Sequence, residues 1–182
     1  STINHITEGN RRHIDVLYIK VASDNGTWRR YAHSYIGFGV TPEIGRELTQ
    51  AQLNKANEVI ISLKSFLKSK PFTIIEQVKT NEYQSIVISN IAKMSKVLGL
   101  AKDSTVNDGL FEIFALPPGK AFMLGVIVKS ATVGLRYTKQ TDKYVFKTVN
   151  KQPVQLDGEV FDIPANALVT VGIEQRNLAC IV

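Results

Sequence analysis

Asn107-Asp108-Gly109-Leu110-Phe111-Glu112-Ile113-Phe114-Ala115-Leu116 is a polar turn that opens directly onto an apolar strand. Gly109 permits a tight backbone there, and the order holds the Asp108 carboxylate at the mouth of a sheet. A second acidic turn, Leu156-Asp157-Gly158-Glu159, recurs near the C-terminus and again leads into strand-like sequence. Taken alone, the first is a common turn whose aspartate satisfies local amides, and the second an ordinary exposed hairpin.

The flanking sequence is mostly strand. Residues 14–22 and 28–38 are rich in aliphatic and aromatic side chains, and Asn25-Gly26 between them is a hairpin signal. Pro42 suits the start of a short helical turn. Residues 51–69 carry Leu53, Ala56, Ile60, Leu63 and Leu67 at helical spacing, with Lys64, Lys68 and Lys70 at the end and Pro71 as the stop. A hairpin is expected over 72–78 and 82–90, turning at Lys79-Thr80-Asn81-Glu82, followed by a loop over 91–109 and the strand 110–116. Pro117-Pro118 suits the start of a second helix to about Val133, although its apolar block equally fits a buried strand. Stretches 143–149, 153–163 and 167–182 return to β-formers. No regular strand–helix alternation is present. The fold class expected is mainly β, an antiparallel β-sandwich with about two inserted helices, in one domain over residues 1–182.

Bulk properties narrow the function. A chain of 182 residues buries a core without staples, and 44% hydrophobic against 21% charged residues is ordinary for a globular domain. The longest apolar run, Ala121–Val128, is far shorter than the roughly 18 residues of a membrane span, and no signal peptide is visible at Ser1. The single cysteine, Cys180, forms no internal disulfide, fits a reducing cytoplasm, and reads as a packed thiol among Leu178, Ala179 and Ile181. A net charge of +6 favours anionic partners, yet the basic residues are not interleaved with aromatics in any nucleic-acid module. His5, His13 and His33 have no metal-ligand spacing, and no Gly-x-Ser-x-Gly elbow exists. Arg11-Arg12 and Arg29-Arg30 read as solvated strand ends or as contacts to phosphates.

In order along the chain, these pieces resemble the C-terminal half of the diacylglycerol kinase, sphingosine kinase and ceramide kinase family of lipid kinases. Gly9 to Leu17 resembles the segment that opens that domain, and Tyr35-Ile36-Gly37-Phe38-Gly39 its short glycine-containing strand end. Val87-Ile88-Ser89-Asn90 is similar to a strand ending in Asn before the substrate loop. Asn107-Asp108-Gly109-Leu110-Phe111-Glu112-Ile113 and Leu156-Asp157-Gly158-Glu159 are similar to the family's two acidic turns. The likeness runs from about residue 9 to the end. One departure stands out: the family often carries a glycine run after the Asn equivalent to Asn90, whereas residues 91–99 here hold one glycine, Gly99.

The resemblance implies phosphoryl transfer from ATP to a lipid hydroxyl with Mg²⁺. By it, Asp108 is the expected general base. Asp157, Gly158 and Glu159 are expected beside the nucleotide, with Asp157 and Glu159 near the metal. Asn90, Asn107 and Gly109 are expected at the acceptor lipid. The family's Gly-Gly-Asp-Gly phosphate loop lies in a preceding α/β domain, and nothing in this sequence replaces it. The chain alone is therefore expected to be inactive, working with its own N-terminal nucleotide-binding domain as a cytoplasmic, membrane-associating protein. A second copy is an alternative cover for an exposed strand edge. Two other readings stay open: a stand-alone β-sandwich binding lipid or another anionic ligand without catalysis, and a relative of the NAD kinases acting on a soluble dinucleotide.

Overall fold

The computed structural model describes residues 9, 11–39, 70–91, 106–119, 125 and 139–181. They contain twelve strands: β1 (Arg11–Ser23), β2 (Gly26–Ala32), β3 (Tyr35–Gly39), β4 (Phe72–Glu76), β5 (Lys79–Tyr83), β6 (Ser85–Ser89), β7 (Phe111–Leu116), β8 (Lys139–Thr141), β9 (Lys143–Thr148), β10 (Gln152–Leu156), β11 (Glu159–Ile163) and β12 (Leu168–Ile181). They form two six-stranded sheets, ordered β2-β1-β12-β9-β4-β5 (sheet A) and β11-β10-β3-β6-β7-β8 (sheet B), with antiparallel pairing throughout. The expected antiparallel sandwich is the architecture found.

Period-two patterning explains how the sheets face each other. Leu17, Ile19 and Val21 on β1, with Val169 and Val171 on β12, are fully buried from sheet A. Ile36 and Phe38 on β3 and Ile86 and Ile88 on β6 meet them from sheet B in one apolar cluster. Phe38 stands edge-on to Phe146 of β9, with ring centroids 5.3 Å apart, and so ties the two sheets together. Every residue of β6 is buried, so sheet B is covered on both faces there. On the outer face of sheet A, Tyr18 lies over its cross-strand partner Gly172, where a Cβ would collide with the ring.

Three expectations change. The stretch 28–38 is not one strand: it breaks at His33-Ser34, and β2 stays in sheet A while β3 crosses to sheet B. The turn expected at Lys79–Glu82 falls earlier, at Gln77 (φ +55°) and Val78, and Lys79–Tyr83 is a strand. Its polar sequence misleads because β5 is a largely exposed sheet edge, where polar side chains are tolerated. Its hairpin partner is β4, not the stretch 82–90, whose β6 belongs to the other sheet. The helix expected over 51–69 lies outside the described residues, as does the second beyond Gly119, apart from Gly125, which is helical.

Candidate active site

Register alone gathers the candidate loops. Leu156 at the end of β10 pairs with Ile36 near the start of β3. Tyr35 at that start pairs with Ser89 at the end of β6, and Ser89 pairs with Glu112 near the start of β7. The Asp157 turn, the His33-Ser34 crossover, Asn90 and the Asp108 turn therefore emerge at one end of sheet B.

Hydrogen bonds join these loops in series. Asp157 and Gly158 form the two-residue loop of the β10–β11 hairpin with φ of +46° and +104°, the left-handed pair that a primed turn requires. The Asp157 carboxylate accepts from the amides of His33 (2.7 Å), Ser34 (3.0 Å) and Tyr35 (3.0 Å). His33 Nδ1 lies 2.7 Å from Oδ2, an ion pair when the imidazole is protonated. Asp157 thus fastens the strand that changes sheets. Burial first, and then the Asp157 charge, push the Tyr35 hydroxyl up to about 12, so it stays a neutral donor. From the same crossover, the Ser34 carbonyl accepts the Asn90 amide at 2.9 Å.

Asn90 is fully buried and leads to Asp15, a residue to which the sequence reading assigned no role. Asn90 Nδ2 donates to the Asp15 carbonyl at 2.9 Å, which fixes the amide's orientation, while Oδ1 is buried without a partner among the described residues. The Asp15 carboxylate, also fully buried, accepts from Gly109 N and from Arg176 N, each at 2.7 Å. Its own amide donates to the Val106 carbonyl at 2.7 Å, so Asp15 grips the Asp108 turn from both sides. The pairing of β1 with β12 slips in register between Ile14 and Val16, and Arg176 opposite adopts φ +51°. That irregularity leaves the Arg176 amide for the carboxylate. The available signal was a lone acid among Ile14, Val16 and Leu17 in a strand-forming run.

Asp108 itself is exposed: its Oδ1 accepts the Leu110 amide at 3.0 Å, and Oδ2 has no partner among the described residues. Asn107 beside it is exposed. Gly109 is buried at φ +74°, and a Cβ there would run into the Gln175 side chain. Glu159 is exposed, with no hydrogen-bond or ion-pair partner among the described residues. It opens, with Asp157 and Phe161, onto a cleft of about 460 Å³ whose other wall is Arg29, Arg30 and Tyr31. Arg29 is paired with Glu174 and stacks 3.9 Å from the Tyr18 ring centre. Arg30 lies 4.1 Å from the Phe161 centre, with no carboxylate partner among the described residues.

The four loops converge, but their acids do different work. Asp157 has its oxygens committed to the fold, whereas Asp108 and Glu159 present carboxylate oxygens without a partner among the described residues. Among the described residues no group of three His, Cys, Asp or Glu side chains forms a metal cage. Asp108 leads into β7 and Glu159 opens β11, four strand positions apart in sheet B, so they do not share one ion; Mg²⁺ held mainly through water and substrate phosphates would need only one of them.

The fold occurs in solved kinase structures. A diacylglycerol kinase from Bacillus anthracis str. Sterne matches 97% of this chain with a TM-score of 0.63 at 15% identity. Two further structures from the same organism, provisionally named as diacylglycerol kinases, match 98% and 97% of the chain with TM-scores of 0.67 and 0.64 at 16% and 17% identity. The chain spans only 57–59% of the length of these proteins. No family model matches the sequence, and no curated protein does.

Proposed function

We propose that this chain is the acceptor-side domain of an ATP-dependent lipid kinase that phosphorylates the hydroxyl of a diacylglycerol- or sphingoid-type lipid. The observation that carries the reading is the convergence of both Asp-Gly turns and Asn90 at one end of sheet B, with Asp108 and Glu159 open to a ligand. The shared fold with diacylglycerol kinase structures supports it.

In this reading Asp108 is the general base. As the lipid oxygen bonds to the γ-phosphorus and the bridge to ADP breaks, the hydroxyl proton passes to the unengaged Asp108 Oδ2. Asn107 and Gly109 shape the loop that meets the acceptor, and the orphan Oδ1 of Asn90 waits behind it for a donor. Glu159 is the carboxylate that faces metal and nucleotide. Asp157 contributes by holding the hairpin that carries Glu159, and exposed Gly158 leaves the backbone approachable. Bound Mg²⁺ would offset the charge on the transferring phosphates. The phosphate cradle belongs to an N-terminal nucleotide-binding domain of the intact polypeptide, which works at the cytoplasmic membrane surface as a peripheral protein. Among the described residues no helix is long and apolar enough to cross a membrane.

The test is a pair of near-isosteric changes in the intact polypeptide. Asp108→Asn is expected to lower kcat by ~10²–10⁴, the usual worth of a positioned base. Glu159→Gln is expected to raise the Mg²⁺ requirement. Near-normal turnover of Asp108→Asn alongside an inactive Glu159→Gln would move the base to the second turn.

A further inference from the structure

Apart from Arg29 and Tyr31 at the rim of the cleft, the outer face of sheet A takes no part in the site. Since Leu17, Ile19 and Val21 point into the core, Lys20 points outward, and register carries the outward set across β2, β12 and β9. Five large hydrophobic side chains are exposed among the described residues, and three lie on this face: Tyr31 (51%), Val145 (39%) and Leu168 (50%). Lys143 and Lys147 flank Val145 on β9, and Leu168 stands directly opposite Lys147. Lys20, Lys143 and Lys147 have no acidic partner among the described residues. Of the two carboxylates on the face among the described residues, Glu174 is neutralised by Arg29, and Glu82 sits on the edge strand β5. Six strands at about 4.8 Å spacing make this surface roughly 24 Å across.

We propose that this face docks onto an anionic lipid surface. Lysine stems lie along apolar ground while their ammonium groups reach headgroup phosphates, and tyrosine sits at the water–lipid boundary. Val145 and Leu168 enter the interfacial layer between the charges. Exposed aliphatic groups would gain nothing from a nucleic-acid backbone, which selects for cations and stacking rings. Binding of this kind is reversible and weakens with salt. The inference takes its biological sense from the lipid-acceptor reading, but its chemistry stands apart from catalysis.

The experiment is co-sedimentation of the 182-residue protein with mixed phosphatidylserine–phosphatidylcholine vesicles and with pure phosphatidylcholine vesicles, at low and high salt. Binding is expected on the mixed vesicles at low salt only. Lys20→Gln/Lys143→Gln/Lys147→Gln should reduce it about a hundredfold, roughly fivefold for each lysine removed. Val145→Ser/Leu168→Ser should reduce vesicle binding while leaving any association with duplex DNA unchanged. Equal vesicle binding by the triple variant, equal affinity for duplex DNA, or self-association through this face without vesicle binding would overturn the proposal. Phosphate transfer by the intact polypeptide to a detergent-dispersed lipid separates the two readings. If the face docks the membrane, the triple variant keeps that activity and loses vesicles; vesicle binding with no transfer by any variant would sink the kinase reading and leave this one standing.

Discussion

Removing the Asp15 carboxylate would strand the buried Gly109 amide and free the part-buried Arg176 amide, both bonded to it. An unsatisfied buried amide costs ~1–3 kcal/mol, and a part-buried one less, so Asp15→Ala is expected to lose about 1–4 kcal/mol in urea denaturation. Asp15→Asn keeps the shape but turns an N–H toward an amide, and should speed hydrogen exchange at Gly109 and Arg176 while Ile86 and Ile88 keep their protection. Unchanged exchange at those two amides would remove Asp15 from its place in the account. The polar residues of the acidic turns were legible because each sits beside glycine at a break in apolar patterning. Asp15 was not, because its partners are backbone groups contributed by residues 109 and 176, and sequence carries no mark of which amide a carboxylate will meet. The division of labour between Asp157 and Glu159 was hidden for the same reason.

At the scale of elements, β4, β5 and β9 are joined by a carboxylate on β4, one strand in from the sheet edge. Glu76 accepts from Tyr144 (2.6 Å) and Tyr83 (2.8 Å), with Asn81 bonded as well. Burial pushes the Glu76 carboxyl up, but these hydrogen bonds and the Lys139 charge outweigh it and hold it below the usual range. Burial and the Glu76 contacts push the Tyr83 hydroxyl up to about 12 and Tyr144 further still. Because the folded pKa lies below the unfolded one, Glu76 adds stability at neutral pH that fades as pH falls through the carboxylate range. Glu76→Gln should therefore lower the melting temperature at pH 7 and flatten its acid dependence. A melting curve as acid-sensitive as wild type would contradict this. Element identity was readable wherever alternation was strong, as on β1 and β9. It failed where tertiary placement overrides pattern: Lys79–Tyr83 is polar because it is an edge, and 28–38 breaks because Asp157 binds the backbone at the break.

For the whole molecule, topology turns four scattered segments into one end of sheet B, a convergence set by strand register and not by their order along the chain. The sandwich itself was legible from strand patterning. Which sheet each strand joins was not, because β3 and β6 pair across more than forty intervening residues. The central claim is that this end receives a lipid hydroxyl. The most direct measurement is transfer of labelled γ-phosphate from ATP by the intact polypeptide, offered a dispersed lipid alcohol and a soluble dinucleotide together. Label in the lipid, lost in Asp108→Asn with the melting temperature unchanged, is the predicted result. Label in the dinucleotide alone, or no transfer to either acceptor, would contradict it.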